Sequence, residues 1–225
     1  MKDLHTHCLP CMDDGPKKVE ESIEMLCKSF EQGVTLCAAT PHCILHDQQD
    51  IDAFLQKREK CFTALKEGIY AAQKHVPELI LGAEIYFDND ISRYEGIERL
   101  CLTDTNKILV EFPMTSYHKQ YAEWLYNLNF KGFIPIIAHV DRYPFWKEVL
   151  EGLSDLHIIY QLNATRMLTI SGRRFIKTVL KHDTYCIFSS DMHDTVKRVS
   201  HMGEAYAKAK KHFPSIVDGM FDAKL

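Results

Sequence analysis

Seven short, nearly continuous apolar runs, each closing in polar residues, constrain this chain more than anything else in it. They are KDLHTH at 2–7, TLCAATPH at 35–42, LILGAEIY at 79–86, KILVEF at 107–112, FIPIIAHV at 133–140, IIYQLN at 158–163 and TYCIFSSD at 184–191. Runs without polar alternation suit strands buried on both faces, the pattern of parallel sheets whose crossovers are helices. The segments between the runs supply those helices. Pro16 opens the first, Val19, Ile23, Leu26 and Phe30 recur along it at three to four residues, and Gly33 ends it. A longer pattern over 51–73 sets Phe54, Leu55, Phe62, Leu65, Ile69 and Ala72 against a charged face. A β-then-α unit repeated seven times predicts an α/β fold: a barrel closed by seven strands, with an open doubly wound sheet as the alternative. No low-complexity linker or internal repeat divides the 225 residues. That predicts a single domain over 1–225, long enough to bury most of its apolar surface.

In a parallel barrel the C-terminal ends of all strands meet at one rim, where polar residues read as an active site. Here those residues are His5, His7, His42, Glu84, Glu111, His139, Asp191 and His193, with Asp14 in the DDG turn able to reach the same rim. His5 and His7 are two apart, so a strand points both to one face, roughly 6.5 to 7 Å apart. So many imidazoles and carboxylates at successive strand ends predict metal ligands. Mixed nitrogen and oxygen donors suit Mn²⁺, Fe²⁺ or Zn²⁺, whereas Ca²⁺ and Mg²⁺ take nearly all-oxygen shells. The candidates are too many for one ion, which predicts two or three sharing bridging carboxylates. Three divalent ions against the carboxylates of Asp14, Glu84, Glu111 and Asp191 leave a surplus of about +2, which invites a phosphate dianion. A bridging hydroxide is then the natural nucleophile for phosphorus. Arg142, three residues beyond His139, is placed to clamp the phosphate oxygens bidentately.

Composition narrows the rest. The 27 basic residues against 31 acidic ones give a net charge of −4, with no basic run of the kind that marks a nucleic-acid footprint. No apolar stretch approaches the ~20 residues needed to cross a bilayer, and neither part of a signal peptide opens the chain, so a cytoplasmic setting is expected. The eight cysteines are then read as free thiols. None of them has an arginine six positions on, as a cysteine-based phosphatase loop would need, and no G-x-S-x-G elbow, Walker loop or G-x-G-x-x-G is present. Of the remaining histidines, 46, 75, 118, 157, 182, 201 and 212 read as surface or loop residues, with His118 on a rim loop the one placed to touch substrate. Tyr117/Tyr121 and Tyr143/Phe145 are candidates to line an aromatic slot, and the tail beyond Ser200 reads as an amphipathic closing helix.

The blocks HTHCLPCMDDGP, AATPH, GAEIY, EFP, PIIAHVDRY, QLNA and SSDMH, in this order and spacing, resemble the bacterial manganese-dependent protein-tyrosine phosphatases of the polymerase-and-histidinol-phosphatase (PHP) superfamily. Those enzymes regulate capsule or exopolysaccharide synthesis beside tyrosine autokinases. The resemblance covers residues 1 to about 195. It implies a distorted seven-stranded (β/α) barrel and a three-metal site: His5, His7, Glu84 and Asp191 on one ion, Glu84, Glu111 and His139 on the second, Asp14, His42 and His193 on the third. Arg142 would be the phosphate-contacting or catalytic arginine, the substrate a phosphotyrosyl protein such as a tyrosine autokinase, and the ion Mn²⁺. The chain departs from the pattern at Val140 and Asp141, where the family has Pro-Glu; Asp141 keeps the charge on a shorter arm from which to orient Arg142. His42 and Asp141 are the candidate acids for the leaving oxygen. Cys8 and Cys11 stand where the family has an aliphatic residue and a glycine, making a C-x-x-C open to a zinc or redox reading, and Cys43 adds a thiol beside His42. Two other readings stay open: a small-molecule phosphatase of the histidinol-phosphate type, and a catalytically idle metal-binding partner module. The oligomeric state does not follow from the sequence.

Overall fold

The computed structural model describes residues 1–182 and 184–223. Its strands are β1 (Lys2–Thr6), β2 (Leu36–Ala39), β3 (His42–Cys43), β4 (Glu78–Leu81), β5 (Glu84–Tyr86), β6 (Lys107–Glu111), β7 (Ile134–Ile137), β8 (Ile159–Asn163) and β9 (Cys186–Ser189). Its helices are α1 (Val19–Glu31), α2 (Gln49–Ala72), α3 (Gln120–Phe130), α4 (Trp146–Gly152), α5 (Ile170–Val179), α6 (Met202–His212) and α7 (Val217–Phe221). All the strand pairs are parallel, as the apolar runs require. The strands form two sheets, in the orders β1-β2-β4 and β3-β5-β6-β7-β8-β9. Two of the seven runs are each broken in the middle. Thr40–Pro41 separates β2 from β3, because proline has no N–H to continue a ladder. Gly82–Ala83 likewise separates β4 from β5. Single bonds cross these breaks, from Gly82 N to Ala39 O (2.9 Å) and from Glu84 N to Pro41 O (3.0 Å). On the other side, β1 meets the end of β9 through Asp191 N to His5 O (3.0 Å) and His7 N to Met192 O (2.9 Å).

Alternation along the strands divides the apolar residues into two cores. Ile108, Val110, Ile137, Tyr160, Leu162 and Phe188 pack outward into the large cluster shared with the helices. Leu109, Ile136, Ile159 and Ile187, their neighbours in sequence, face the other way and close with Leu4 and Ala38 into a separate small cluster. The register of β1 slips here. Asp3 pairs with Cys37 and Thr6 with Ala39, so Leu4 and His5 together stand opposite the single Ala38. This bulge lets one strand contribute both an apolar plug residue and the first polar residue above it.

α1 buries Ile23 and Leu26 as its periodicity predicts, but Phe30 is 42% exposed and lies over the His75 ring, centroids 6.2 Å apart. α2 buries Ile51 and Leu65 together with Arg58, which the hydrophobic pattern places among the charged residues. The Arg58 guanidinium donates to Gly82 O at 2.6 Å, a carbonyl freed by the break between β4 and β5, and to Arg99 O at 3.0 Å in the turn after β5. The tail beyond Ser200 forms two helices instead of one. Phe221 of α7 stacks on Phe188 of β9 at 4.9 Å. Among the described residues no helix is long and apolar enough to cross a membrane.

Candidate metal centre

Above the small apolar cluster the strand ends bring together every metal-ligand candidate in the sequence. Glu84, at the start of β5, is the hub. Its Oε1 lies 3.2 Å from His5 Nε2 and 3.0 Å from His139 Nε2, and its Oε2 lies 3.2 Å from His7 Nε2 and 3.0 Å from His42 Nδ1. Asp191 Oδ1 approaches His5 and His7 at 3.6 and 3.5 Å. Glu111 Oε1 is 3.2 Å from His139 Nε2, and Asp14 Oδ1 is 3.2 Å from His193 Nε2 and 3.4 Å from His42 Nε2. Three groups have ligand atoms all within 4.8 Å of one another: His7, Asp14, His42 and His193; His5, His7 and Glu84; and His42, Glu84 and Glu111.

The backbone pays locally for this convergence. His139 and Asp191 both adopt positive φ, 29° and 54°. Such conformations cost a non-glycine residue about 1–3 kcal/mol and persist where the surroundings over-determine them, most often at functional sites. Gly15, closing the DDG turn, comes so near the His7 carbonyl that a Cβ would collide with it, which explains a glycine there.

The electrostatics favour a cation. Glu84 Oε2, Asp191 Oδ1 and His193 Nε2 are buried without a properly directed hydrogen bond, although opposite partners lie within 3.6 Å. His5 Nε2 and His7 Nε2 face each other at 3.2 Å, where only one of the pair could donate. Lone pairs at hydrogen-bond distance but aimed past one another are the arrangement a metal ion accepts. Burial alone would lower the pKa of His5, yet the Glu84 and Asp191 carboxylates raise it to about 10. The same balance raises His42 to about 9. Glu84, despite the opposing penalty of burial, is held well below the ordinary carboxylate range by the surrounding imidazoles. A site that retains a proton so strongly has an excess of negative field, and a divalent ion answers the same field. The donors are all nitrogen and oxygen, which fits Mn²⁺, Fe²⁺ or Zn²⁺.

Several sequence expectations are corrected. Asp141 does not face Arg142. Its carboxylate accepts from Arg166 Nε at 2.8 Å and from Asn163 N at 2.8 Å, holding the loop after β7 to the end of β8. Of the C-x-x-C pair, Cys8 lies in the core with its thiol pushed up to about 12 by burial, while Cys11 is exposed and donates to Lys17 O, so the two form no site. Cys43 is buried, its thiol also pushed up to about 12 by burial, so the thiol beside His42 stays protonated. Tyr121 lies flat on Phe112 (4.5 Å, 4°) and Tyr143 on Phe145 (5.1 Å, 14°), so both aromatic pairs are core packing. His118 is exposed and bonds Ser116 Oγ at 3.0 Å.

Three residues that the sequence reading passed over touch the candidates directly. Asp13 Oδ2 lies 2.7 Å from His7 Nδ1 and accepts from His42 N at 3.0 Å. Gln161 Oε1 lies 3.1 Å from His5 Nδ1 and also accepts from His139 N. Arg198 reaches Asp191 Oδ2 at 2.9 Å and Asp14 Oδ2 at 3.5 Å, while Arg142 meets the same Asp191 oxygen at 3.2 Å from the other side. DDG offered two adjacent carboxylates as a signal for Asp13, and QLNA contained Gln161. Arg198 lies five residues beyond the last matched histidine.

Comparison with known proteins places the chain among related sequences. Tyrosine-protein phosphatase CpsB of Streptococcus pneumoniae is 30% identical over 226 residues, covering 92% of this chain and 88% of the relative. Tyrosine-protein phosphatase YwqE of Bacillus subtilis is 31% identical over 232 residues, covering 96% and 86%. A solved structure from the work on YwqE and S. pneumoniae CpsB, described as metal-dependent tyrosine phosphatases, superposes with a TM-score of 0.81 at 25% identity, over 96% of this chain and 89% of that one. The family model for capsular polysaccharide synthesis, CpsB/CapC, matches residues 1–220, and the chain therefore belongs to the CpsB/CapC family.

Proposed function

We propose that the chain is a metal-dependent protein-tyrosine phosphatase of capsule or exopolysaccharide synthesis, acting in the cytoplasm on a phosphotyrosyl protein such as a tyrosine autokinase. The observation that carries this reading is the convergence of His5, His7, Asp14, His42, Glu84, Glu111, His139, Asp191 and His193 around one carboxylate, with two half-exposed guanidiniums beside it. The names of the relatives support the reaction and the substrate class. His5, His7, Glu84 and Asp191 would hold one ion, Glu84, Glu111 and His139 a second, and Asp14, His42 and His193 a third, Mn²⁺ being the metal we favour. His7 and His42 lie close enough to neighbouring groups to be shared. The bonds across both strand breaks and between β1 and the end of β9 support reading the two sheets as one distorted seven-stranded barrel, within a single domain over 1–225.

Bound there, divalent cations supply positive charge at phosphorus and lower the pKa of a water for attack. The protein's own part is positioning. Asp13 and Gln161 fix the ring orientation of His7 and His5, leaving each Nε2 turned to the cluster. Arg142 and Arg198 approach one carboxylate oxygen from two sides and offer forked donors to a phosphoryl group. A tyrosinate, with pKa near ~10, leaves without a strong acid. That suits a site where His42, 37% exposed, would be engaged by a metal ion and Asp141 is engaged by Arg166 and Asn163 N.

The test is turnover after Mn²⁺ reconstitution of a phosphotyrosyl peptide, a phosphoseryl peptide and histidinol phosphate. The phosphotyrosyl substrate should lead by kcat/KM, chelation should abolish activity, and Cys8→Ser with Cys11→Ser should spare it. Comparable rates on the alkyl esters would shift the reading to a small-molecule phosphatase. Loss of activity on thiol alkylation but not on chelation would overturn the metal reading.

A further inference from the structure

Beside the metal centre lies a second concavity that the phosphatase reading does not use. A cleft of about 510 Å³ runs between the loop after β1 and α2, with Cys11, Lys17, Lys18, Lys57, Lys60 and Cys61 among its lining. All four lysines are exposed, and Glu20 is the one carboxylate that lines the cleft with them. The lysine ion pairs among the described residues are Lys2 with Asp222 and Lys28 with Glu24, so none of the four is neutralised. Lys17 and Lys57 donate instead to the Asp13 and Met12 carbonyls, at 2.5 and 2.7 Å, which ties them to the loop that carries Asp13 and Asp14 while leaving their charge in place.

This concentration of positive charge runs against two expectations. The whole chain is acidic, with a net charge of −4. Lys17 and Lys18 also immediately precede α1, which starts at Val19, and a helix N-terminus favours negative charge. Glu20 and Glu21 in the first turn follow that rule, whereas the two lysines oppose it. The helix end therefore does not explain their charge. The location does: a smaller hollow of about 300 Å³ at the metal centre is lined by Asp14, His193 and Lys17, so Lys17 borders both cavities. A substrate chain leaving the metal centre past Lys17 enters the lysine-lined cleft.

We infer that this cleft receives an acidic stretch of the phosphotyrosyl substrate flanking the modified tyrosine. The inference rests on the phosphatase reading and adds to it a sequence preference. A concave cleft bordered by four exposed lysines suits a peptide laid along it better than the flat face of an anionic bilayer. Exposed charge pairs are individually weak, so the effect is one of affinity and encounter rather than chemistry, appearing in KM and fading with salt.

The experiment compares two phosphotyrosyl peptides that differ only in flanking Asp/Glu against Asn/Gln, alongside a small aryl phosphate. It uses the wild type, a Lys18→Glu/Lys60→Glu variant, and a Lys208→Glu/Lys211→Glu control that makes the same charge change on α6. The wild type should favour the acidic peptide by roughly three- to ten-fold in KM, with kcat alike. The cleft variant should lose that preference, the control should keep it, and all three should turn over the aryl phosphate equally. A wild type without preference, a cleft variant that retains it, or a control that loses it equally overturns the inference while leaving the phosphatase intact. A wild type that hydrolyses neither the aryl phosphate nor either peptide overturns the phosphatase reading itself.

Discussion

Two layers of the same strands, separated by only a few residues, behave as different materials. In the lower one Leu4, Ala38, Leu109, Ile136, Ile159 and Ile187 close on one another. Two residues further along β6 and β8 come Glu111 and Gln161, and four further along the β9 run comes Asp191. The heart of the upper layer is as thoroughly buried, with His5 0% exposed and Glu84 1%, while His42 and Asp14 open toward the mouth. Yet the lower layer is satisfied by contact alone, whereas the upper one holds polar atoms with no properly directed partner. Burying charged groups is costly unless something completes them. The difference teaches that the plug is stable by itself, whereas the rim it carries is in an arrangement suited to cations.

Breaking the hub should show this most strongly. Glu84→Ala removes the carboxylate that touches four imidazoles, so metal content should fall at more than one position and phosphatase activity by on the order of 10³-fold. Elemental analysis showing a full metal complement in that variant would contradict the shared role. Arg142→Lys keeps the charge but loses the fork, and should lower kcat/KM by about 10²-fold with metal content unchanged; an unaltered value would return Arg142 to the surface. Asp13→Asn should weaken metal affinity by roughly 10- to 100-fold, since His7 would lose the carboxylate that sets its ring, as read by competition with a chelator.

In the lower layer the pattern should reverse. Leu109→Ala should cost about 2–5 kcal/mol of stability by denaturant unfolding while the folded protein keeps its metals. The smallest effect is on the pH dependence of the metal-free protein. The pKa values of His5 and His42 are raised from 6.5 to about 10 and about 9, so their contribution is complete below pH 6.5 and is lost as pH rises through those values. Glu84 and Asp191, held low, and His193, held down to about 4, contribute in the opposite sense and lose their share on acidification. The Tm of metal-free protein should therefore fall between neutral pH and about pH 9.5. A Tm that rose over that interval would show that the rim imidazoles are not charged as described.

The strand runs and the meeting of the candidate residues were legible in the sequence, for one reason: parallel strands end at a common rim, so polar residues closing apolar runs come together there. What escaped depends on atoms rather than patterns. Pro41 and Gly82 were visible inside their runs, but only the backbone shows that they split each run into two strands. DDG presents two carboxylates, and the loop geometry alone decides that Asp13 turns inward to His7 while Asp14 reaches His42 and His193. Asp141 lies beside Arg142 in sequence, yet its true partner, Arg166, is 25 residues away. Tyr143 and Tyr121 have the same aromatic chemistry in a slot or in a core, and only burial separates the two. The slip that places Leu4 and His5 opposite Ala38 leaves no mark in composition or period.

The central claim is that the rim is one shared cation site, and counting the ions tests it most directly. Wild-type protein reconstituted with Mn²⁺, freed of excess metal and analysed for bound metal per chain, should retain two or three ions that a chelator removes together with phosphotyrosine hydrolysis. Retention of one ion or none, with hydrolysis undiminished, would contradict the account.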